Sequence, residues 1–323
     1  MARIDNAAGR CTAVGLTVNA AALVKGAQPV LVTGATGRIG RAVVAELLGA
    51  GVPVRALSRR PDAARLPAAV EVVSGDLTVP ESLDASLQGV STALLVWTAP
   101  PATAPAVIER LAAHARRVVF LSSPHRTPHP FFQASQPNAM AVLHANIERL
   151  IAETGLASTI IRPGMFASNA LSWWAVSIRH GDAVRWPYGV AETAPIDERD
   201  IAAAVAHCLT EDRHAGGDYV LTGPESLSQA EQVRIIGDVV GRRIAFEELS
   251  PEDFRRETAG SWPAPVVDML LTAWGAAIGQ PAFVTSTVFD IVGSPARTFR
   301  QWAADHADAF RNAQRVTDTP QAG

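Results

Sequence analysis

The stretch that decides the fold is LVTGATGRIGRAVVAELL, which runs from Leu31 to Leu48. Gly34, Gly37 and Gly40 stand three residues apart, between an apolar run that predicts a strand and an amphipathic run that predicts a helix. In such a unit one glycine permits a tight turn, a second lets a pyrophosphate approach the backbone, and a third lets helix and strand pack closely. The free amide groups at the helix start then face the phosphates. The motif therefore predicts a dinucleotide-binding site.

The residues downstream repeat this alternation of strand and helix. Short β-branched runs predict buried strands, and the alanine- and leucine-rich stretches between them have helical spacing. The pattern predicts an α/β fold with a Rossmann-type, doubly wound parallel sheet, whose ligands bind beyond the carboxyl ends of the strands. The predicted strands are residues 29–33, 52–58, 70–74, 92–97, 117–123 and 157–163, and the predicted helices are residues 38–50, 81–87, 105–115 and 139–154.

After Pro163 the alternation changes character. Residues 165–181 and 192–209 are expected to form a lid and a helix above the sheet, and residues 217–224 are expected to return as one more strand. A capping-type start predicts a helix over residues 225–241. Two further short strands are predicted, at residues 242–249 and 286–291.

These patterns divide the chain of 323 residues into four parts. An NADP-binding Rossmann core is expected at residues 29–163. Residues 164–312 are expected to form a small C-terminal α/β region that holds the substrate site and a lid and returns elements to the sheet. Residues 1–28 are expected to be an N-terminal extension, and residues 313–323 a flexible tail.

Composition and charge argue against several classes of protein. The chain is 48% hydrophobic and 18% charged, with a formal net charge of -3, which is typical of a compact globule and gives no reason to expect a nucleic-acid or membrane partner. No apolar run reaches the roughly 18 residues that a membrane helix needs. The two cysteines, Cys11 and Cys208, lack the spacing of a metal site or a disulfide framework. We therefore expect no metal and a reducing, cytoplasmic location.

The residues after the second predicted strand indicate which dinucleotide binds. An NAD site usually has an acidic residue about 20 positions after the glycine motif, where it holds the ribose 2′-hydroxyl. This chain instead has Ser58, Arg59 and Arg60 there. Two guanidinium groups can hold a 2′-phosphate, and Arg38 in the glycine loop could add a third positive charge. The sequence therefore predicts NADP(H), unless the two arginines are simply solvated.

Asp76 and Leu77 follow the third predicted strand in the turn SGDLT. There a carboxylate could accept the adenine amino group, while the leucine lines the ring pocket. The same turn is common in proteins that bind no nucleotide, so both interpretations stay open.

With these motifs in place, the chain resembles the NmrA-like, atypical branch of the short-chain dehydrogenase/reductase superfamily. The resemblance rests on VTGATGRIG, SRRP, GDL, FLSS, IERLIAETGLASTIIRPGMFASN, APIDERDIAAAV and YVLTGPESLSQAE, and it extends from about Gln28 to Phe310. It implies a Rossmann domain with a small C-terminal substrate domain, and NADP(H) as cofactor. Members of the branch range from reductases of quinones, phenols and polyketide-derived ketones to catalytically silent sensors of the cofactor's redox state.

The resemblance and the motifs together define a set of expected cofactor contacts, with Pro163–Phe166 near the nicotinamide. They are Thr33, Gly34, Thr36, Gly37, Arg38, Ile39, Gly40, Ser58, Arg59, Arg60, Asp76, Leu77, Trp97, Thr98, Ser122, His144, Pro163, Gly164, Met165 and Phe166.

The superfamily's usual proton-relay residues are incomplete in this chain. They are a serine after the fifth strand and a Y-x-x-x-K motif on the next helix, in which the lysine makes the tyrosine more acidic. Here Ser122 or Ser123 supplies the serine, whereas Met140 and His144 occupy the tyrosine and lysine positions. Methionine has no proton to donate, so the usual mechanism cannot operate.

Three residues are therefore the candidate catalytic groups: His144, Ser123 and His125. A histidine can act as an acid near neutral pH, because its unperturbed pKa is about 6.5. His144 could equally hydrogen-bond the nicotinamide ribose, as the superfamily's lysine does. His125 lies in the loop after the fifth predicted strand and is the next candidate proton donor.

The candidate substrate residues are Trp97, Met140, Phe166, Asn169, Trp173 and Trp174. Aromatic and methionine side chains with few polar groups suit a flat, apolar ligand. The alternative for Trp173 and Trp174 is that they pack the lid.

Two functions follow from these observations. The leading hypothesis is an NADPH-dependent reductase of a small aromatic, quinone or polyketide-like carbonyl compound that works by hydride transfer without the Tyr–Lys pair. The other is a non-catalytic, NADP(H)-sensing regulatory protein. Either would be a monomer or a homodimer with a small-molecule ligand.

Overall fold

A seven-stranded parallel sheet forms the centre of the computed structural model, which describes residues 28–132 and 139–311. Its strand order is β3-β2-β1-β4-β5-β6-β9, so the winding direction reverses between β1 and β4. In doubly wound sheets this reversal opens a crevice at the carboxyl ends of the strands. The strands are β1 (Val30–Val32), β2 (Val54–Ser58), β3 (Glu71–Ser74), β4 (Thr92–Val96), β5 (Arg117–Leu121), β6 (Ala157–Pro163) and β9 (Asp218–Leu221).

Helices cover both faces of this sheet because its strands are apolar on both sides. On one face, α1 (Arg38–Gly49), α6 (Glu198–Thr210) and α10 (Thr287–Val292) bury their apolar residues in one cluster with β1 and β4. On the other face, α2 (Asp84–Leu87), α3 (Ala104–His114) and α4 (Ala139–Glu153) form a second cluster. The predicted Rossmann-type α/β fold is confirmed.

The remaining elements pack around a third cluster. Strands β7 (Ala183–Trp186) and β11 (Ala245–Glu248) form a parallel pair, and β8 (Glu192–Thr193) and β10 (Leu227–Ser228) an antiparallel pair. The helices there are α5 (Asn169–His180), α7 (Gln229–Val240), α8 (Pro251–Thr258), α9 (Ala264–Ala277) and α11 (Phe299–Asp305). The domain limits expected from the sequence stay a prediction. The expected extension falls almost wholly on residues 1–27 and the expected tail on residues 312–323, outside the described residues.

The predicted strands at residues 217–224 and 242–249 are present as β9 and β11, and the predicted helix at residues 225–241 is α7. Ser228 and Glu231 close a capping box at the start of α7, as the sequence suggested. The strand predicted at residues 286–291 is wrong, because this segment forms α10. Val288 and Ile291 are three residues apart, so a helix buries both on one face, and Gly293 ends it with a φ of 78°.

A group of aromatic rings, most of which meet edge to face, fills the third cluster. Trp174 is fully buried, with its ring centroid 5.8 Å from that of Trp173 and 6.2 Å from that of Trp186. Trp173 in turn meets Trp274 edge to face at 5.5 Å. The expectation that Trp173 and Trp174 line the substrate pocket is therefore corrected: they pack against other aromatic rings and hold α5 to its neighbours.

Replacing Trp174 by alanine should lower the free energy of unfolding by about 3–5 kcal/mol, because a fully buried ring is lost and a cavity remains. Denaturant titration followed by circular dichroism measures the change. The matched control is Val176→Ala on the same helix, where the side chain is 59% exposed; the expected change there is within about 0.5 kcal/mol. Equal losses in both variants would contradict the assigned role of Trp174.

Candidate active site

The turn between β1 and α1 is built so that backbone, not side chain, faces the crevice. Gly34 has a φ of 65°, a left-handed conformation that glycine adopts without strain. A Cβ atom on Gly40 would lie 2.2 Å from the Gly34 carbonyl oxygen, so only glycine lets helix and turn approach this closely. Gly37 caps α1 without any side-chain hydrogen bond. The first amide groups of α1 are thus left for a ligand, and an anion fits there.

Thr33 holds the two strands on either side of the winding reversal together. Its Oγ1 accepts a hydrogen bond from the Val96 amide at 2.7 Å and lies 3.2 Å from the Val96 carbonyl oxygen. The side chain is buried, so the link is shielded from water. Thr33 therefore fixes the position of β4 relative to the glycine turn.

A cavity of about 560 Å³ opens over the glycine turn. It extends from the turn to the ends of β2 and β3, as a dinucleotide's adenosine half requires. The expected cofactor contacts that line it are Thr33, Gly34, Thr36, Gly37, Arg38, Ile39, Gly40, Ser58, Arg59, Arg60, Asp76, Leu77, Thr98 and Phe166.

The charged residues at the rim of this cavity suit the 2′-phosphate that NADP(H) carries and NAD(H) lacks. Arg59 and Arg60 are exposed, and neither guanidinium group pairs with another of the described residues. Arg38, in contrast, lies 3.4 Å from the buried carboxylate of Glu198 on α6. The Asp76 carboxylate accepts a hydrogen bond from the Thr78 amide, with 2.8 Å between Oδ1 and N. Two cations at this rim therefore remain free for a ligand.

Sequence reasoning missed Arg41, which shapes the same cavity. Its guanidinium donates to the carbonyl oxygens of Thr36, Ala64 and Arg65 at 2.9, 3.0 and 2.8 Å. These bonds tie the segment after β2 to the glycine turn. A long basic residue directly after the third glycine was the signal that could have found it.

A second cavity, of about 800 Å³, adjoins the first at Phe166. It lies between the ends of β5 and β6, helix α4 and helix α9. Expected site residues that line it are Ser122, Ser123, His125, Met140, His144, Pro163, Gly164, Met165, Phe166 and Asn169; further lining residues that the sequence did not indicate include Phe131, Phe132, Pro265, Asp268, Met269, Leu270 and Ala273.

Trp97 lines neither cavity, so the expectation that it contacts the cofactor and the substrate is wrong. Its side chain is buried in the cluster under α2 and α3, and its Nε1 donates to the Ala99 carbonyl oxygen at 2.6 Å. The adjacent residues Val96 and Thr98 face the first cavity instead. Side chains alternate along a strand, so Trp97 points to the opposite side of the sheet.

A buried ion pair beneath the second cavity was also missed. The Glu148 carboxylate on α4 accepts from Arg162 Nε at 3.0 Å and Nη2 at 2.7 Å. Ser122 donates to the same carboxylate at 2.5 Å. Burial alone would raise the pKa of Glu148, but the hydrogen bonds from Arg162 and Ser122 hold it below its ordinary value. Arg162, the single charged residue in the predicted strand at residues 157–163, was the available signal.

This ion pair separates the roles of the two serines that the sequence left equivalent. Ser122 is buried and its hydroxyl proton is engaged by Glu148. Ser123 is half-buried and lines the second cavity, with its Oγ 3.4 Å from His125 Nδ1. Of these two serines, Ser123 is therefore the one whose hydroxyl group is available to a ligand in the second cavity.

His144 lies one helical turn before Glu148 and is buried against Phe120, with ring centroids 5.7 Å apart. Burial, together with the nearby His125, lowers the pKa of His144 to about 4. Its Nδ1 is buried and has no hydrogen-bond partner among the described residues. His144 is therefore neutral at pH 7 and suits a hydrogen bond to a neutral ligand group better than proton donation.

His125 has an acceptor near each ring nitrogen. Its Nδ1 lies 3.0 Å from the Ser123 carbonyl oxygen, and its Nε2 lies 3.6 Å from Glu148 Oε2. Burial lowers the pKa of His125 from its ordinary value, and the Glu148 carboxylate opposes that change. Of the two histidines, His125 has the better support for a proton.

Metal-binding clusters and membrane-spanning helices are both absent from residues 28–132 and 139–311. No group of three or more histidine, cysteine, aspartate or glutamate residues in these ranges could hold a metal ion. Within the same ranges, none of the helices combines the length and the apolar character needed to cross a membrane.

Comparisons with known proteins agree with this geometry. A family model described as NAD(P)H-binding matches residues 34–212. The chain is 37% identical to the (4-alkanoyl-5-oxo-2,5-dihydrofuran-3-yl)methyl phosphate reductase of Streptomyces griseus, over 87% of this chain and 99% of that protein. It is 31% identical to the NAD(P)H azoreductase of Xenophilus azovorans, again over 87% and 99%.

Solved structures support the fold. An NADPH-dependent quinone oxidoreductase from Escherichia coli superposes with a TM-score of 0.73 at 24% identity, covering 86% of this chain and 99% of that one. At this identity the likeness concerns the fold alone. NmrA has the same fold, with a TM-score of 0.67 at 16% identity, covering 88% of this chain and 97% of that one. The family match confirms the predicted NAD(P)H type of cofactor.

The two unpaired arginines give a test of cofactor preference. Replacing both Arg59 and Arg60 by glutamine should raise the Kd of NADPH at least about tenfold, because charge-assisted hydrogen bonds contribute about 1.5–3 kcal/mol each. The Kd of NADH should change little, since it lacks the 2′-phosphate. Calorimetric titration of both nucleotides measures this, with the exposed Arg243→Gln as control. Equal affinities of the unaltered protein for NADPH and NADH would refute the preference.

Proposed function

Because the chain belongs to the NAD(P)H-binding family, we propose that it is an NADPH-dependent reductase of small aromatic, quinone or polyketide-like carbonyl compounds. One observation carries this proposal: the first cavity, which lies over the glycine turn, and the larger, mostly apolar second cavity share Phe166 as a lining residue. A dinucleotide laid from the first cavity toward the second would bring its nicotinamide end to the substrate side.

The walls of the second cavity favour a flat, apolar substrate. The chain has four methionines, and the three after Met1 all line this cavity, from α4, the end of β6 and α9. Three phenylalanines complete the wall: Phe131, Phe132 and Phe166. Methionine side chains are flexible and polarizable, so they adapt to rings of different shape. A pocket of this kind would accept a class of aromatic molecules rather than one compound.

The related enzymes agree with a reductase. The Streptomyces griseus relative is named for the reduction of an alkanoyl-oxo-dihydrofuranyl methyl phosphate, and the Xenophilus azovorans relative for the reduction of azo compounds. We propose conjugated carbonyl compounds, quinones included, as the acceptors of this protein.

In the bound state the cofactor would supply a hydride to the substrate. We propose that Pro163–Phe166 hold the nicotinamide side of the site and that the orphaned imidazole of His144 binds a ribose hydroxyl. Asn169 and Met140 would contact the substrate. Positioning of the two reactants then provides most of the acceleration, because neither tyrosine nor lysine is present at the usual places.

The second candidate function is an NADP(H)-sensing regulatory protein without turnover. Two observations favour it: His144 is neutral at pH 7, and the hydroxyl of Ser122 is engaged by Glu148. Such a protein would bind the cofactor and change its affinity for a partner protein between the oxidised and the reduced nucleotide.

A cytoplasmic location and a monomeric or homodimeric state remain proposals. The location follows from the cofactor type and from the low cysteine count of two. Size-exclusion chromatography with light scattering would establish the oligomeric state.

Turnover separates the two functions. Incubation with NADPH and a panel of benzoquinones, naphthoquinones, aromatic ketones and azo compounds should give acceptor-dependent loss of NADPH absorbance, in one-to-one ratio with the reduced product. Several acceptors should react, because the pocket wall is adaptable. Saturable NADPH binding without oxidation on the whole panel would favour the sensor instead.

The position of Met140 allows a test of the substrate wall. Met140→Glu places a charge where an apolar acceptor should pack, so KM for a naphthoquinone should rise about tenfold, the equivalent of about 1.4 kcal/mol. The Kd of NADPH should stay within a factor of two or so. Val142→Glu is the matched control, because Val142 is exposed on the same helix and lines neither cavity. A KM that is unaffected by Met140→Glu would remove Met140 from the substrate site.

A further inference from the structure

We propose that Ser123, His125 and Glu148 form a proton relay that replaces the missing tyrosine and lysine. The inference rests on the proposed reductase function. Ser123 Oγ lies 3.4 Å from His125 Nδ1, and His125 Nε2 lies 3.6 Å from Glu148 Oε2. The three groups thus form a line that starts at the second cavity and ends at the buried ion pair.

Each ring nitrogen of His125 faces an oxygen acceptor, which opposes the lowering of its pKa by burial. In either neutral tautomer, one ring nitrogen would turn a lone pair toward an oxygen acceptor: the Ser123 carbonyl on one side, or the Glu148 carboxylate on the other. The doubly protonated ring presents an N–H group to both. His125 Nε2 is buried and has no hydrogen-bond partner among the described residues. A positive charge on the ring would therefore be stabilised mainly by the Glu148 carboxylate, 3.6 Å away.

Other charges near His125 act in both directions. Arg162 and Arg126 disfavour a charged ring, whereas Glu148 favours it. Arg126 Nη2 lies 3.7 Å from Glu148 Oε2, and its side chain is 63% exposed. His144 is the remaining titratable neighbour in the cluster, and it stays neutral. The carboxylate of Glu148 is therefore the group that sustains a proton on His125.

Glu148 is held in place independently of His125. Two hydrogen bonds from Arg162 and one from Ser122 fix its carboxylate, and Arg162 also pairs with Asp218. Glu148 is consequently a positioning residue, since it reaches neither cavity. Ser123 and His125 both line the second cavity and would be the groups that meet the substrate side.

The relay balances the chemistry of carbonyl reduction. NADPH would supply the hydride, its C–H bond breaking as it is oxidised to NADP⁺; the new C–H bond would form at the carbonyl carbon while the C=O π pair moves to the oxygen. The Ser123 hydroxyl gives its proton to that oxygen, and the Ser123 oxygen takes the Nδ1 proton of His125. The neutral ring then regains a proton from solvent. The net result is one alcohol formed from one carbonyl, one hydride and one proton.

The pH dependence of kcat/KM tests the relay, with an aromatic ketone as acceptor. The active form carries a proton on His125, and burial puts its pKa below the ordinary value. Activity should therefore rise as the pH falls through that pKa. Glu148→Gln removes the stabilising charge and should move the profile to lower pH, whereas Arg126→Gln removes an opposing charge and should move it to higher pH.

Further variants separate the relay from a structural role. Ser123→Ala and His125→Gln should each lower kcat about 100-fold or more while leaving the Kd of NADPH unchanged, as expected for loss of a proton donor. Glu153→Gln is the matched control for Glu148→Gln, because Glu153 is an exposed carboxylate on the same helix. It should leave the profile in place.

A direct titration of His125 by NMR provides a second measurement that needs no turnover. Its pKa should fall in Glu148→Gln and rise in Arg126→Gln. Shifts that are absent or reversed, or full activity in Ser123→Ala, would overturn the relay while leaving the reductase intact. No NADPH oxidation by the unaltered protein with any acceptor would remove the reductase and the relay together. If Glu148→Gln does not fold, the exposed Arg126→Gln decides alone.

Discussion

The close approach of α1 to the turn that follows β1 is the constraint on which the site depends. There is no room for a Cβ atom on Gly40, whose place would be 2.2 Å from the Gly34 carbonyl oxygen. This contact aims the first amides of α1 into the crevice and sets the helix against the sheet. Thr33 then links β1 to β4 across the winding reversal. The cofactor cavity is the space that these two contacts leave.

The buried pair of Glu148 and Arg162 holds together the elements beneath the second cavity. Removing one partner of such a pair typically costs about 3–5 kcal/mol, because the other charge is left buried. The pair joins α4 to β6, and the Ser122 hydroxyl adds β5. The Glu148 carboxylate also lies 3.6 Å from His125 Nε2 at the edge of the second cavity.

The aromatic cluster determines the far wall of the site. Trp174, Trp186 and Trp274 pack at steep angles, as aromatic rings prefer. They hold α5 and α9 in place, and α9 carries Met269 to the cavity. The rigid rings behind the flexible methionines give a wall that is fixed in position but adaptable at its surface. Such a wall is consistent with a reductase of several related acceptors.

The sequence by itself determined the strand–helix alternation, the glycine turn and the basic residues after β2, because each is a local pattern of adjacent residues. It also predicts, from the resemblance, that His144 and Met140 occupy the positions of the superfamily's lysine and tyrosine, and this stays a prediction. It was wrong about residues 286–291, where β-branched composition outweighed the helical spacing of Val288 and Ile291. It was also wrong about Trp97, Trp173 and Trp174, because composition does not reveal which way an aromatic side chain faces.

Only the tertiary structure decided which of the two serines bonds to Glu148, which of the two histidines lies beside that carboxylate, and which residues form the two cavities. Glu148 and Arg162 are 14 residues apart, Arg38 and Glu198 are 160 apart, and neither pair has a local signature. A charge's pKa depends on what buries it and on which charges it meets, and the packing of distant segments fixes both. Local patterns therefore predicted the glycine turn beside the first cavity, while the second cavity and the buried pair of Glu148 and Arg162 arise from long-range contacts.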